Sequence, residues 1–170
     1  GEWKAKLWPS SGSVHDLCCG MGGDSFFIPN SLELTGIDMS EERLQMYAYN
    51  MQALNKKANT LNADVRNLTK TVPNAIADFF TIDPARRKSE SENQRQFENL
   101  TPSLQEVLEI AKSYKGGMVK LPPGYPIDEI PLDAEIIYLG SRQDCRECLV
   151  LLRHKSTVPR YRTNLHHLQS

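Results

Sequence analysis

The chain has 170 residues, of which 39% are hydrophobic and 24% charged, and its formal net charge is −1. This is the composition of one globular domain with enough apolar matter for a core, not of a disordered or membrane-embedded chain. No apolar run is long enough to span a bilayer, no signal-peptide pattern is present, and the near-neutral charge neither selects nor excludes nucleic acid as a partner.

Taken in chain order, short apolar runs predict strands at Val14–Leu17, Leu32–Asp38, Asn59–Ala63, Asp78–Asp83, Met118–Leu121, Ala134–Leu139 and Cys148–Leu152. Between them, Ser40 to Asn55 reads as a helix with Ser40 as N-cap and Glu41 and Glu42 in the first turn. Leu44, Tyr47, Met51 and Leu54 would share one face of it. Thr101-Pro102 begins another helix, with Leu104, Val107, Leu108 and Ala111 on one stripe, and Gly116-Gly117 is expected to stop it. Alternating strands and helices imply a parallel sheet covered on both faces. The last two strands are joined only by Gly140-Ser141-Arg142-Gln143-Asp144, too short for a crossover helix, so they must pair as an antiparallel hairpin. The expected fold class is therefore α/β and Rossmann-like: a seven-stranded, mostly parallel sheet ending in an antiparallel hairpin, with helices on both faces. That is the class I methyltransferase arrangement rather than the six-stranded parallel sheet of dinucleotide-binding domains.

Chemistry concentrates after the first strand, in Asp16-Leu17-Cys18-Cys19-Gly20-Met21-Gly22-Gly23-Asp24. Glycines at the end of a strand let backbone approach a ligand closely and expose N–H groups. Asp38, which closes the second strand, is placed to accept hydrogen bonds from a ribose. These features point to a nucleoside-containing cofactor. Asp16 lies under the loop and Asp24 follows it; two carboxylates would repel a pyrophosphate and attract the ammonium of a methionyl group, which favours S-adenosyl-L-methionine over NAD. Each acid also has a structural reading, Asp24 as a helix N-cap and Asp16 as a partner of loop amides. Met39 is read as an apolar cover for the adenine, and Asp64 as the acceptor for its exocyclic amine or else as the cap of the next turn. The candidate cofactor set is Asp16, Cys18, Gly20, Met21, Gly22, Gly23, Asp24, Asp38, Met39, Asp64, Val65 and Asp83.

The fourth strand runs into Asp83-Pro84-Ala85-Arg86, the candidate catalytic segment. An acid at a strand's carboxyl end followed by proline gives a rigid carboxylate beside the transferred methyl. There it would accept a proton from an exocyclic amine or ring N–H. Arg86 and Arg87 would hold phosphate or lie against a base. The alternative is an acid capping a turn beside a solvated basic trio. The polar stretch between Arg86 and Thr101 follows the strand where open α/β sheets place their crevice; it is either an unstructured loop or one that orders over substrate. Cys145 and Cys148 have zinc-ligand spacing but no second pair, so no metal is expected, and the cysteines read as reduced thiols of a cytoplasmic protein.

Together, Asp16 to Asp24, Gly36-Ile37-Asp38, Asn62-Ala63-Asp64-Val65, Ile82-Asp83-Pro84-Ala85-Arg86-Arg87 and Val119-Lys120-Leu121-Pro122-Pro123-Gly124 resemble the bacterial THUMP-like-domain class I methyltransferases. These are uncharacterised relatives of RNA methyltransferases, and the resemblance extends over nearly the whole chain. It implies that Asp16, Gly20, Gly22, Asp38 and Asp64 bind S-adenosylmethionine and that Asp83 to Arg86 line the acceptor pocket, with a nitrogen in RNA as the expected target. Two departures stand out. Ala85 and Arg86 occupy the places where amino-methyltransferases carry Pro and an aromatic. The segment after the fifth strand also lacks the cysteine that covalent pyrimidine C5 chemistry uses. The expected organisation is a remnant of an upstream region at 1–10, as the initial Gly in place of Met suggests, with the methyltransferase domain at 11–156. A basic tail or the start of a further domain follows at 157–170, where Arg160, Arg162, His166 and His167 are not balanced by any acid. A methyltransferase of small molecules or proteins, or a non-catalytic binding module of the same fold, are the alternatives.

Overall fold

The computed structural model describes residues 2–71, 77–86, 100–140, 144–152 and 166–167. Its main sheet is built from β1 (Ser13–Leu17), β2 (Glu33–Asp38), β3 (Ala58–Asn62), β4 (Phe79–Ile82), β7 (Gly116–Leu121), β8 (Glu135–Gly140) and β9 (Cys145–Leu152), with β10 (His166–His167) added at one edge. In space the order is β10-β8-β9-β7-β4-β1-β2-β3, while β5 (Ala85–Arg86) and β6 (Leu100–Thr101) form a separate two-stranded ribbon. The strands from β3 to β7 run parallel, and β9 lies antiparallel between β7 and β8. The expected seven strands and terminal hairpin are thus present. β10, an extra two-residue strand paired with β8, lies within the segment read as a tail.

Helix α2 (Glu41–Ala53) begins where Ser40 accepts from the Arg43 amide, and it buries Leu44, Tyr47 and Met51 against Val14, Ile28 and Leu34. Helix α4 (Leu104–Ala111) starts at Ser103 with a reciprocal capping box to Glu106 and packs Leu104, Val107 and Ala111 with Leu17, Phe80 and Ile82. Val14 and Leu17 fall in different clusters because strand side chains alternate, so α2 and α4 cover opposite faces. Two short helices complete the set, α1 (Glu2–Ala5) and α3 (Leu68–Thr71).

Two local expectations change. Gly116 and Gly117 do not terminate α4, which has already ended near Lys112; they are the first residues of β7. A Cβ on Gly117 would lie 2.2 Å from the Phe80 ring, so glycine is required by strand packing rather than by helix capping. The glycine loop after β1 leads into a single 3-10 turn, Ser25–Phe27, instead of a full helix, and Asp24 makes no capping hydrogen bond there.

Candidate functional site

The strand registers bring the candidate acids to one edge of the sheet. Leu17 pairs with both Ile37 and Ile82, and Asp38 with Asn62, so β1 to β4 end together and the residues after them share one crevice. The Cys18 thiol lies in the combined field of Asp38, Asp16, Asp64 and Asp83; burial and those carboxylates push it up to about 12, which leaves it a thiol without nucleophilic character.

Asp38 is buried and uses both carboxylate oxygens to shape the loop: Gly20 N–H donates to Oδ2 at 3.0 Å and Ser40 N–H to Oδ1 at 2.9 Å. Cys18 at φ 60° and Gly20 at φ 53° turn the chain through the left-handed region, and the Cys19 amide then bonds the Ile37 carbonyl. The loop has a packed side and an open side. A Cβ on Gly22 would lie 2.6 Å from Met51 Cε, whereas one on Gly20 or Gly23 would meet nothing within 4 Å. Met21 and Met39 are both exposed beside it, at 59% and 64%. An open glycine surface flanked by acids and bare methionines fits the glycine, carboxylate and apolar requirements of S-adenosylmethionine.

Asp16 is 3% exposed, and Ser25 Oγ donates to its Oδ2 at 2.5 Å; Ser25 Oγ in turn lies 2.8 Å from the Tyr47 hydroxyl. Burial raises its carboxyl to about 7, opposed by the Ser25 hydrogen bond and reinforced by Asp24 and Asp83. Asp64 takes the capping role: it accepts from the Arg66 amide and pairs with the Arg66 guanidinium at 2.7 Å, which holds its carboxyl below the usual range. Val65 is buried in the core on the α4 face.

Asp83 lies at the rim of a cleft of about 360 Å³ with Pro84, Ala85, Leu100, Lys120, Pro122 and Arg146 among its lining residues. Pro84 is buried, whereas Asp83 and Ala85 are exposed. Arg86 enters β5, whose partner across the ribbon is Leu100. Arg87, Lys88 and the polar stretch to residue 99 lie outside the described residues, as does most of the basic segment after 152.

Sequence reasoning assigned no role to three residues that meet here. Ile82 pairs with Val119, so Asp83 follows β4 beside Lys120 of β7, and the ammonium sits 2.8 Å from Asp83 Oδ2. Antiparallel β9 delivers Glu147 to the same edge, its Oε1 4.0 Å from Lys120, while Lys4 of α1 reaches Glu147 Oε2 at 2.7 Å and Asp24 at 3.2 Å. Burial works against charge on Lys120, but Asp83, Asp24 and Glu147 outweigh it and hold the ammonium above its ordinary value. Lys120 stood in view within Val119-Lys120-Leu121, and its signal was a cation one residue before the end of a buried strand. Lys4 and Glu147 carried no local pattern.

All four cysteines are free, and among the described residues no helix is long and apolar enough to cross a membrane.

No protein-family model matches the sequence, and no curated protein matches it. Solved structures do. A candidate methyltransferase from Porphyromonas gingivalis W83 superposes with a TM-score of 0.72 at 20% identity, over 93% of this chain and 41% of that one. An rRNA methylase from Streptococcus thermophilus gives 0.59 at 14% identity, covering 88% of this chain and 91% of its own. A candidate RNA methyltransferase from Pyrococcus horikoshii gives 0.54 at 14% identity, covering 88% and 76%. This chain therefore spans less than half the length of the Porphyromonas gingivalis protein. With its strand order and these neighbours, the chain has the Rossmann-like fold of the class I methyltransferases.

Proposed function

We propose that this chain is an S-adenosylmethionine-dependent methyltransferase that acts on RNA. The observation that supports the reading is the gathering of Asp16, Asp38, Asp64 and Asp83 about Cys18, with Asp24 near Asp16 and the Gly20 amide bonded to Asp38. Asp16 and Asp24 would hold the cationic amino-acid end of the cofactor, Asp38 the ribose, and Met21 and Met39 the apolar faces of the adenine. Asp64 would reach the adenine amine from its bond to Arg66. When bound, the cofactor supplies an electrophilic methyl on a sulfonium. The protein's part in such a displacement is alignment of the acceptor and disposal of its proton, a role that Asp83-Pro84-Ala85-Arg86 would take. The nitrogen target expected from the sequence, whose N–H would donate to the carboxylate, rests on Asp83 taken by itself.

RNA as substrate is supported by the names of two structural neighbours, by Arg146 on the cleft wall and by the basic composition after residue 152. The THUMP-like resemblance agrees with it and would make the protein a cytoplasmic enzyme. Titration calorimetry of the full-length protein with S-adenosylhomocysteine tests the cofactor: binding is expected, and Asp38→Ala should weaken it at least tenfold. Absence of binding to the wild-type protein refutes the reading. An RNA enzyme should also lose RNA affinity steeply as salt rises, whereas a small-molecule or protein methyltransferase should show no such association.

A further inference from the structure

We propose that the acceptor is a hydroxyl, the ribose 2′-hydroxyl of RNA, held between Lys120 as hydrogen-bond donor and Asp83 as proton acceptor. This rests on the cofactor and RNA reading above and replaces only the acceptor atom.

The argument is one of donor and acceptor count. Asp83 Oδ2 is engaged by the Lys120 ammonium at 2.8 Å, and Oδ1 has no partner among the described residues. Both side chains line the same cleft and are partly exposed, Lys120 at 27% and Asp83 at 48%. The cleft therefore presents a donor and an acceptor side by side. A hydroxyl complements that pair fully: its O–H donates to Asp83, one oxygen lone pair accepts from Lys120, and the second lone pair attacks. An exocyclic amine does not, because its one lone pair must attack and nothing remains to accept from Lys120.

In the step, the hydroxyl oxygen gains the methyl carbon as the carbon–sulfur bond of the donor breaks, with the bonding pair staying on sulfur. The hydroxyl becomes strongly acidic as that bond forms, and its proton passes to Asp83. Lys120 keeps its own proton throughout, steadied by Asp24 at 3.5 Å and Glu147 at 4.0 Å. Lys4 occupies the far side of Glu147 and ties the set to α1. Within an RNA chain, the 2′-hydroxyl is the hydroxyl that every nucleotide offers, and it is the group that separates RNA from DNA. Arg146 stands on the same wall to meet the adjoining phosphate.

The test uses full-length protein, methyl-tritiated S-adenosylmethionine and total RNA from cells lacking the gene. After transfer, the RNA is hydrolysed in alkali, which cannot cleave beside a 2′-O-methyl group. The expected result is label in alkali-resistant dinucleotides. Label in mononucleotides overturns the hydroxyl acceptor and leaves the RNA methyltransferase standing; no label in RNA overturns both. Lys120→Met should lower transfer by about 100-fold, the scale of misplacing a reacting group. Its affinity for S-adenosylhomocysteine, read by calorimetry, should stay within threefold. Lys120→Arg, which keeps the donor and the charge, should recover at least tenfold of the loss. Wild-type transfer by Lys120→Met, or no recovery by Lys120→Arg in a protein that melts normally, counts against the role given to Lys120.

Discussion

Asp16 offers the most quantitative handle on the site. In an unfolded chain its carboxyl ionises near 3.8, but in the fold burial moves this to about 7. Between those values the folded protein keeps a proton that the unfolded chain has lost, so the residue's contribution to stability falls as pH rises, and the full cost is reached above 7. At 1.4 kcal/mol for each tenfold, the whole displacement corresponds to about 4 kcal/mol, and the part between pH 5 and pH 8 to about 3 kcal/mol. Asp16→Asn keeps the shape and an oxygen for Ser25 Oγ but cannot ionise. The variant should therefore gain about 3 kcal/mol on the wild type between pH 5 and pH 8, or roughly 6–12 °C in Tm for a chain of this size. His15, which burial lowers, acts in the opposite sense, its contribution rising with pH through its unfolded value, but it is common to both proteins and cancels in the difference. Urea unfolding of both proteins at the two pH values, followed by tryptophan fluorescence, measures this directly. If the stability difference between them is the same at both pH values within about 0.5 kcal/mol, Asp16 is not the buried acid described here.

Other perturbations probe the same region. Gly36→Ala would place a Cβ 2.5 Å from Cζ of the fully buried Tyr47 ring and should cost about 1–3 kcal/mol in chemical denaturation. That penalty should shrink in a Tyr47→Leu background, and an unchanged penalty there means that the ring is not its cause. Ser25→Ala strands Asp16 and the Tyr47 hydroxyl without their shared partner and should cost about 1–3 kcal/mol in the same assay.

Much of the architecture is written in local pattern. The period of Leu44, Tyr47 and Met51, with Ser40 before it, specifies α2 and its cap; the short Gly140–Asp144 connection specifies the hairpin. Both signals involve residues close in sequence, where spacing alone determines geometry. The glycines at 116 and 117 were legible as glycines but not as strand residues, and the reason for Gly117 is the Phe80 ring on a neighbouring strand. Asp64 illustrates a different limit: its capping geometry follows from its neighbours, yet its pairing with Arg66 decides how much of the carboxylate is left for a ligand.

The sequence by itself determined the fold class, the glycine loop and the line of acids at the strand ends, because each depends on alternation, turn chemistry or the last residue of a strand. Only the tertiary structure decided what those acids face. Lys4, Lys120 and Glu147 come from the first helix, a central strand and an antiparallel strand, and they meet through the registers of β4, β7 and β9. A carboxylate read along the chain is an acceptor; beside an ammonium it is half of a donor–acceptor pair, and that relation exists only between strands.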